Sequence, residues 1–151
     1  MSRSTSIPVS ILCTLLLMSF SILARAEMPL MELTASFHRI EAEVAANQAN
    51  RMHGLMLRKS LATNQGMLFV FPEVHRHCMW MRNTVLPLSV AFLDDDGRIL
   101  NIEDMQPQTD TSHCAVSPAR FALEMNLGWF SGKGLKPGLR IGGLEKSPRP
   151  E

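Results

Sequence analysis

The amino-acid sequence predicts a mainly β fold, a small sandwich or barrel with one short helix, and three observations carry that expectation. Residues 40–44 alternate apolar with acidic side chains, residues 67–71 form an unbroken apolar run, and Asp95-Asp96-Gly97 separates two apolar stretches as a hairpin turn does. Strands this short, punctuated by Gly, Pro and Asp, do not suit a sheet assembled from βαβ units.

The elements follow in order. Over residues 37–45, Ile40, Ala42 and Val44 share one strand face while Glu41 and Glu43 share the other, which makes a half-buried strand. Asn47 caps a short helix through Gln48, Ala49, Asn50, Arg51 and Met52, and Gly54 ends it in the left-handed conformation. Asn64-Gln65-Gly66 is a turn leading into the apolar run 67–71, which Pro72 closes; a run without polar positions is buried on both faces. Residues 85–93 form a strand that Pro87 marks as an edge or a bulge, and Asp94-Asp95-Asp96-Gly97 turns it into residues 98–102. In residues 120–126, Phe121, Leu123 and Met125 share one face and Ala122, Glu124 and Asn126 the other. Residues 128–134, with Trp129 and Phe130, hold one helical turn, and Pro137-Gly138 sit at the centre of a type II turn. Residues 139–141 give a last strand, and residues 145–151, with two prolines, are expected to be a flexible tail.

The start of the chain has another character. Arg3, the apolar residues 11–23 and the small-x-small site Ala24-Arg25-Ala26 have the order of a cleaved secretory signal. The run is shorter than the roughly 20 residues a bilayer-crossing helix needs, and Cys13 follows Leu12 instead of the small residue expected of a lipoprotein. The expected organisation is a signal over residues 1–26, a single β domain over 27–144 and the tail over 145–151. Export would place the domain in the periplasm or outside the cell, with no membrane span after cleavage.

The whole chain is 46% hydrophobic and 19% charged, with a formal charge of +1 that becomes −1 when Arg3 and Arg25 leave with the signal. Near neutrality gives no electrostatic footprint for nucleic acid. Two cysteines remain, Cys78 and Cys114, and in an oxidising compartment their expected state is a disulfide.

Four segments stand in a characteristic order: Gly54-Leu55-Met56; Gly66-Met67-Leu68-Phe69; Trp80-Met81-Arg82-Asn83-Thr84 with Pro87-Leu88; and Leu123-Glu124-Met125 with Gly128 close behind. In these segments the chain resembles the bacterial and archaeal domain-of-unknown-function family numbered 192, over residues 38–142. The resemblance implies a compact, mostly β fold of jelly-roll-like sandwich type, and it implies no activity. After Pro87-Leu88 the family usually carries an acidic residue; Ser89 stands here, so a mechanism needing a carboxylate at that place does not carry over.

Three sets of residues are candidates for chemistry. If His75, His77, Met79 and Met81 lie on one strand they project from one face, and imidazole with thioether suits a soft metal such as Cu(I); packing is the alternative role for the methionines. His77-Cys78 and His113-Cys114 offer two imidazoles and two sulfurs, a zinc set that lacks the Cys-x-x-Cys spacing of preformed sites. A cysteine nucleophile is disfavoured, because neighbours on a strand face opposite ways and an oxidised pair is inert. Trp80, Arg82, Asn83 and Glu124 are polar or aromatic groups among apolar neighbours, and they predict either a small cleft floored by Trp80 or a structural network in which Arg82 pairs with Glu124. A single carboxylate does not equip a glycosidase, and the Asp94–Gly97 turn lacks the further ligands of a calcium loop.

No nucleophile with its base, phosphate loop or strong metal motif stands out. The sequence is therefore read as an exported binding or accessory module without a cofactor, its partner a small ligand or an envelope protein. A copper binder is the second reading and an enzyme acting on envelope material the third.

Overall fold

A computed structural model describes residues 28–151, and the expected signal at 1–26 lies outside the described residues. Period-two alternation shapes the first strand, β1 (Leu30–Ala35), where Met31, Leu33 and Ala35 point inward and Leu30, Glu32 and Thr34 outward. This strand was not among those expected, although its alternation is as regular as that of its antiparallel neighbour β2 (His38–Ala45). Asn47 caps α1 (Gln48–His53) by accepting the Asn50 N–H on its side chain, as expected, and Gly54 ends the helix at a positive φ of 51° but with ψ −138°, outside the left-handed helical conformation expected of it.

The remaining elements are β3 (Gln65–His75), β4 (Cys78–Met79), β5 (Leu88–Leu93), β6 (Ile99–Met105), β7 (His113–Cys114), β8 (Ala119–Asn126), α2 (Trp129–Gly132) and β9 (Ile141–Gly142). One curled seven-stranded sheet runs β6-β5-β8-β3-β2-β1-β9, and β4 pairs with β7 in a separate two-stranded ladder. The mainly β expectation holds. All pairs in the large sheet are antiparallel except β2 with β3, whose connection passes through α1. A single β-α-β step is therefore built into a sheet expected to have none.

The strand that Pro72 was expected to close runs on to His75, with an irregular register between Val70 and His75. Proline lacks only the N–H, so a bulge at that point absorbs it. The hairpin at Asp94 forms as expected: Asp94 Oδ1 accepts the N–H groups of Asp96 and Arg98, and Gly97 takes φ 77°.

The sheet has a core on each side, which is why residues 67–71 read as apolar throughout. Leu68 and Val70 join Leu33, Ile40, Leu123 and Phe130 in one cluster. Met67, Phe69 and Phe71 join Leu55, Met81, Val90 and Phe92 in the other. Each buried Leu or Phe contributes about 1.5–3 kcal/mol of transfer free energy. The loop after α1 is fastened to the sheet by Asn126, whose side-chain amide donates to the carbonyls of Leu61 and Ala62. Glu151 returns to the helix region, its N–H bonded to the Ala46 carbonyl at 2.8 Å.

Candidate functional site

α1 buries none of its own residues. It does not fill a core; together with the segment after it, the helix roofs a cavity of about 600 Å³ over the second face of the sheet. Phe69 and Phe71 of β3 supply apolar wall, Leu55 adds to it behind the helix, and Met52, Met79 and Trp80 line the outer part, where Met52 is 57% and Trp80 44% exposed. A concave apolar space with few polar groups has the general make-up of a small-molecule site.

Two buried polar side chains line this cavity, Thr84 and Glu124. Glu124 belongs to the central strand β8 and stands in register with Met67 on β3 and Val90 on β5, so both flanking strands place apolar residues beside it. It is 4% exposed, and no hydrogen bond or ion pair reaches its carboxyl from the described residues. Yet no side-chain oxygen or nitrogen among the described residues is both sealed and unbonded. The carboxyl oxygens therefore open onto the cavity. Burial pushes the group up to about 8, with no cation to offset it, so at neutral pH it is mostly a neutral acid that both donates and accepts.

The expected cleft residues separate into two pairs. Trp80 and Glu124 line the cavity; Arg82 and Asn83 do not. The expected Arg82–Glu124 pair is not formed, because Arg82 Nε donates to Asp110 Oδ1 at 2.8 Å on the exposed side, with its guanidinium 5.0 Å over the Trp80 ring. That exposed pair holds the Arg82 guanidinium above its usual range. Asn83 has a backbone role: at φ 59° it turns the chain, and its carbonyl accepts the Leu57 N–H at 3.0 Å.

Cys78 and Cys114 are joined by a disulfide, as expected, which fastens the β4–β7 ladder 36 residues apart in sequence. With both sulfurs so engaged neither is a thiolate for zinc or for nucleophilic attack. His75, His77, Met79 and Met81 do not lie along one strand, because β3 ends at His75 and Met79 belongs to β4, although the His75 and His77 rings meet edge to face at 5.9 Å. His77 stacks on Phe71 at 3.7 Å with Nε2 2.9 Å from the Glu73 carbonyl, and Met81 is fully buried in the second core. Among the described residues no cluster of three or more His, Cys, Asp or Glu side chains is placed to hold a metal ion. Ser89, where a carboxylate was expected by resemblance, donates to the Asp104 carboxylate and accepts the Gly128 N–H at 2.8 Å, and it does not line the cavity.

The sequence reading missed Met52, Leu55, Phe69, Phe71 and Thr84 as parts of one site. Their one available signal was Met52, an apolar residue on a short helix, which the structure leaves 57% exposed.

A family model described as DUF192, Uncharacterized ACR, matches residues 31–143. Two crystal structures are similar over most of the domain. One, from Sinorhizobium meliloti 1021 and described as a candidate transcription regulator, is 35% identical with a TM-score of 0.71, over 76% of this chain and 92% of that one. The other, a protein of unknown function from Novosphingobium aromaticivorans DSM 12444, is 32% identical with a TM-score of 0.66, over 74% of this chain and 82% of that one. No curated protein gave a match. Among the described residues no helix is long and apolar enough to cross a membrane.

Proposed function

The chain belongs to the DUF192 family, and from that premise we propose that it is an exported binding module whose cavity under α1 takes a small ligand with an apolar body. The observation that carries this reading is Glu124, a buried carboxyl without a partner that opens onto a space walled by Phe69, Phe71 and Leu55. An unpaired buried carboxyl costs several kcal/mol, roughly 1–3 even for a neutral group left unbonded. A ligand that bonds it recovers part of that cost. Export rests on the order of charge, apolar run and small-x-small site in residues 1–26, and the Cys78–Cys114 disulfide suits an oxidising compartment.

Nile red, which fluoresces in apolar surroundings, tests the cavity. Binding should saturate at one dye per chain, and Met52→Trp, which places a larger ring at the outer wall without touching the cores, should weaken it by tenfold or more while leaving the melting temperature in place. Dye binding that ignores the substitution, or no binding, would count against the reading. The mass of protein recovered from the periplasm tests export: the chain should begin at Glu27.

A further inference from the structure

We propose that the cavity selects ligands with a cationic head, a protonated amine on an apolar chain, and that Glu124 is the group that holds it. The inference rests on the cavity being a binding site. It adds the chemical class of what binds.

The polar part of the wall is one-sided. Of the two buried polar side chains on it, Thr84 is a neutral hydroxyl, and Glu124 is the one able to carry charge. Met67 and Val90, its register neighbours, offer no donor. A ligand alcohol or amide gains one ordinary hydrogen bond there, whereas an ammonium gains a charge-assisted bond, about twice as strong, in surroundings of low dielectric. A ligand carboxylate is repelled once Glu124 ionises. The outer wall favours the same choice. Trp80 is an aromatic ring on the cavity wall, and aromatic faces attract cations generally; one cation, the Arg82 guanidinium, already lies 5.0 Å from its ring, so an ammonium would have to use the edge or the other face.

The other titratable groups around the cavity are Arg51 and His53 on α1, His77 ahead of β4, and Glu151. The Arg51 guanidinium, a positive charge on the cavity wall, is turned to the backbone, donating to the carbonyls of Ala46 and Val70 and to the main-chain oxygen of Glu151. His77 holds the Glu73 carbonyl. β3 and β5 put no charged side chain in register with Glu124. An ammonium ligand keeps its own proton, so its arrival makes Glu124 release one to solvent. Affinity therefore rises with pH, by close to tenfold per unit between pH 6 and 7, and levels off above about 8.

The test is Nile red displacement by four eight-carbon probes: octylammonium, octanol, octanamide and octanoate. At pH 8 octylammonium should displace the dye at concentrations at least tenfold lower than the other three, and the pH series should show the rise and plateau for it alone. In Glu124→Gln, which keeps the shape of the protonated acid, the preference for octylammonium over octanol should collapse to near one, and the pH dependence should vanish. Because His53 is present in both proteins, a dependence that survives in the variant belongs elsewhere and overturns the inference. If the variant does not fold, the wild-type pH series decides alone. Octanol, octanamide or octanoate matching octylammonium overturns the cationic head and leaves the cavity reading standing, as does Nile red binding that none of the four displaces. Failure of the dye itself to bind removes both.

Discussion

Met67 and Glu124 are direct partners in the antiparallel β3–β8 ladder, so a thioether and a carboxyl lie side by side on one face of the sheet. Val90 closes the other flank. Neither neighbour solvates a charge, and burial raises the carboxyl from 4.5 to about 8. Between those values the folded state keeps a proton that the unfolded chain has lost. Stability is therefore highest below pH 4.5 on this account, and it falls as pH rises to about 8. Glu124→Gln removes that slope. Urea unfolding at pH 5.5 and 8.5 should show the variant gaining on wild type by a few kcal/mol at the higher pH; parallel profiles would show that Glu124 ionises without penalty.

Strands β2, β3, β5, β6 and β8, the cap at Asn47 and the hairpin at Gly97 were legible because each follows from local rules: period-two alternation or an unbroken apolar run, a side-chain oxygen at a helix start, a glycine where φ is positive; β1 and the short pair β4 and β7 were not read. The cavity was not legible in the same way. Glu124 and Trp80 were singled out as polar or aromatic groups among apolar neighbours, but Phe69 and Phe71 read as ordinary core, and only the tertiary fold sets α1 over them without filling the space between. The Arg82–Glu124 expectation failed for a related reason. Opposite charges were paired by sequence context, whereas the fold puts Glu124 inside and leaves Arg82 beside Asp110 on the surface. The disulfide was legible from the number of cysteines and the compartment expected for them; that Cys78 would lie on the cavity wall was not.

Reducing the Cys78–Cys114 bridge should lower stability. It closes a loop between residues 36 apart, for which the chain-entropy account gives about 3–4 kcal/mol. Its two cysteines also hold the β4–β7 ladder, which carries Met79 and leads directly to Trp80. Urea unfolding with and without dithiothreitol should show the loss, and the double variant Cys78→Ser with Cys114→Ser should reproduce it without reductant. Weaker Nile red binding should accompany both, since the outer wall loses its tether. A reduced protein as stable as the oxidised one would make the bridge ornamental.

Gly66→Ala should be strongly destabilising. A Cβ at Gly66 falls 2.4 Å from the Glu124 carbonyl oxygen and 2.4 Å from Met125 Sδ, and the first of these is backbone in the adjacent strand. The sulfur can swing aside; the ladder cannot move without losing hydrogen bonds. A cost of about 1–3 kcal/mol or more is expected from such overpacking. Thermal melts check it, and a change below about 0.5 kcal/mol, the range of neutral surface substitutions, would mean that β3 and β8 have slack at this point.

Asn83 should behave as a backbone device whose loss is felt in the cavity. It adopts φ 59°, and Leu57, whose N–H it accepts, adopts φ 62°, so two left-handed residues face each other across one hydrogen bond. That bond ties the segment beyond α1 to the segment that follows Trp80 and Met81. Asparagine tolerates this conformation far better than alanine, and glycine better still. Asn83→Ala should therefore cost about 1–2 kcal/mol while Asn83→Gly costs little. Since Asn83 does not itself line the cavity, weaker Nile red binding in the alanine variant and near-normal binding in the glycine variant would trace the effect to backbone placement. Equal loss in both would instead assign the work to the side-chain amide, and would bring Asn83 back among the groups that touch the ligand.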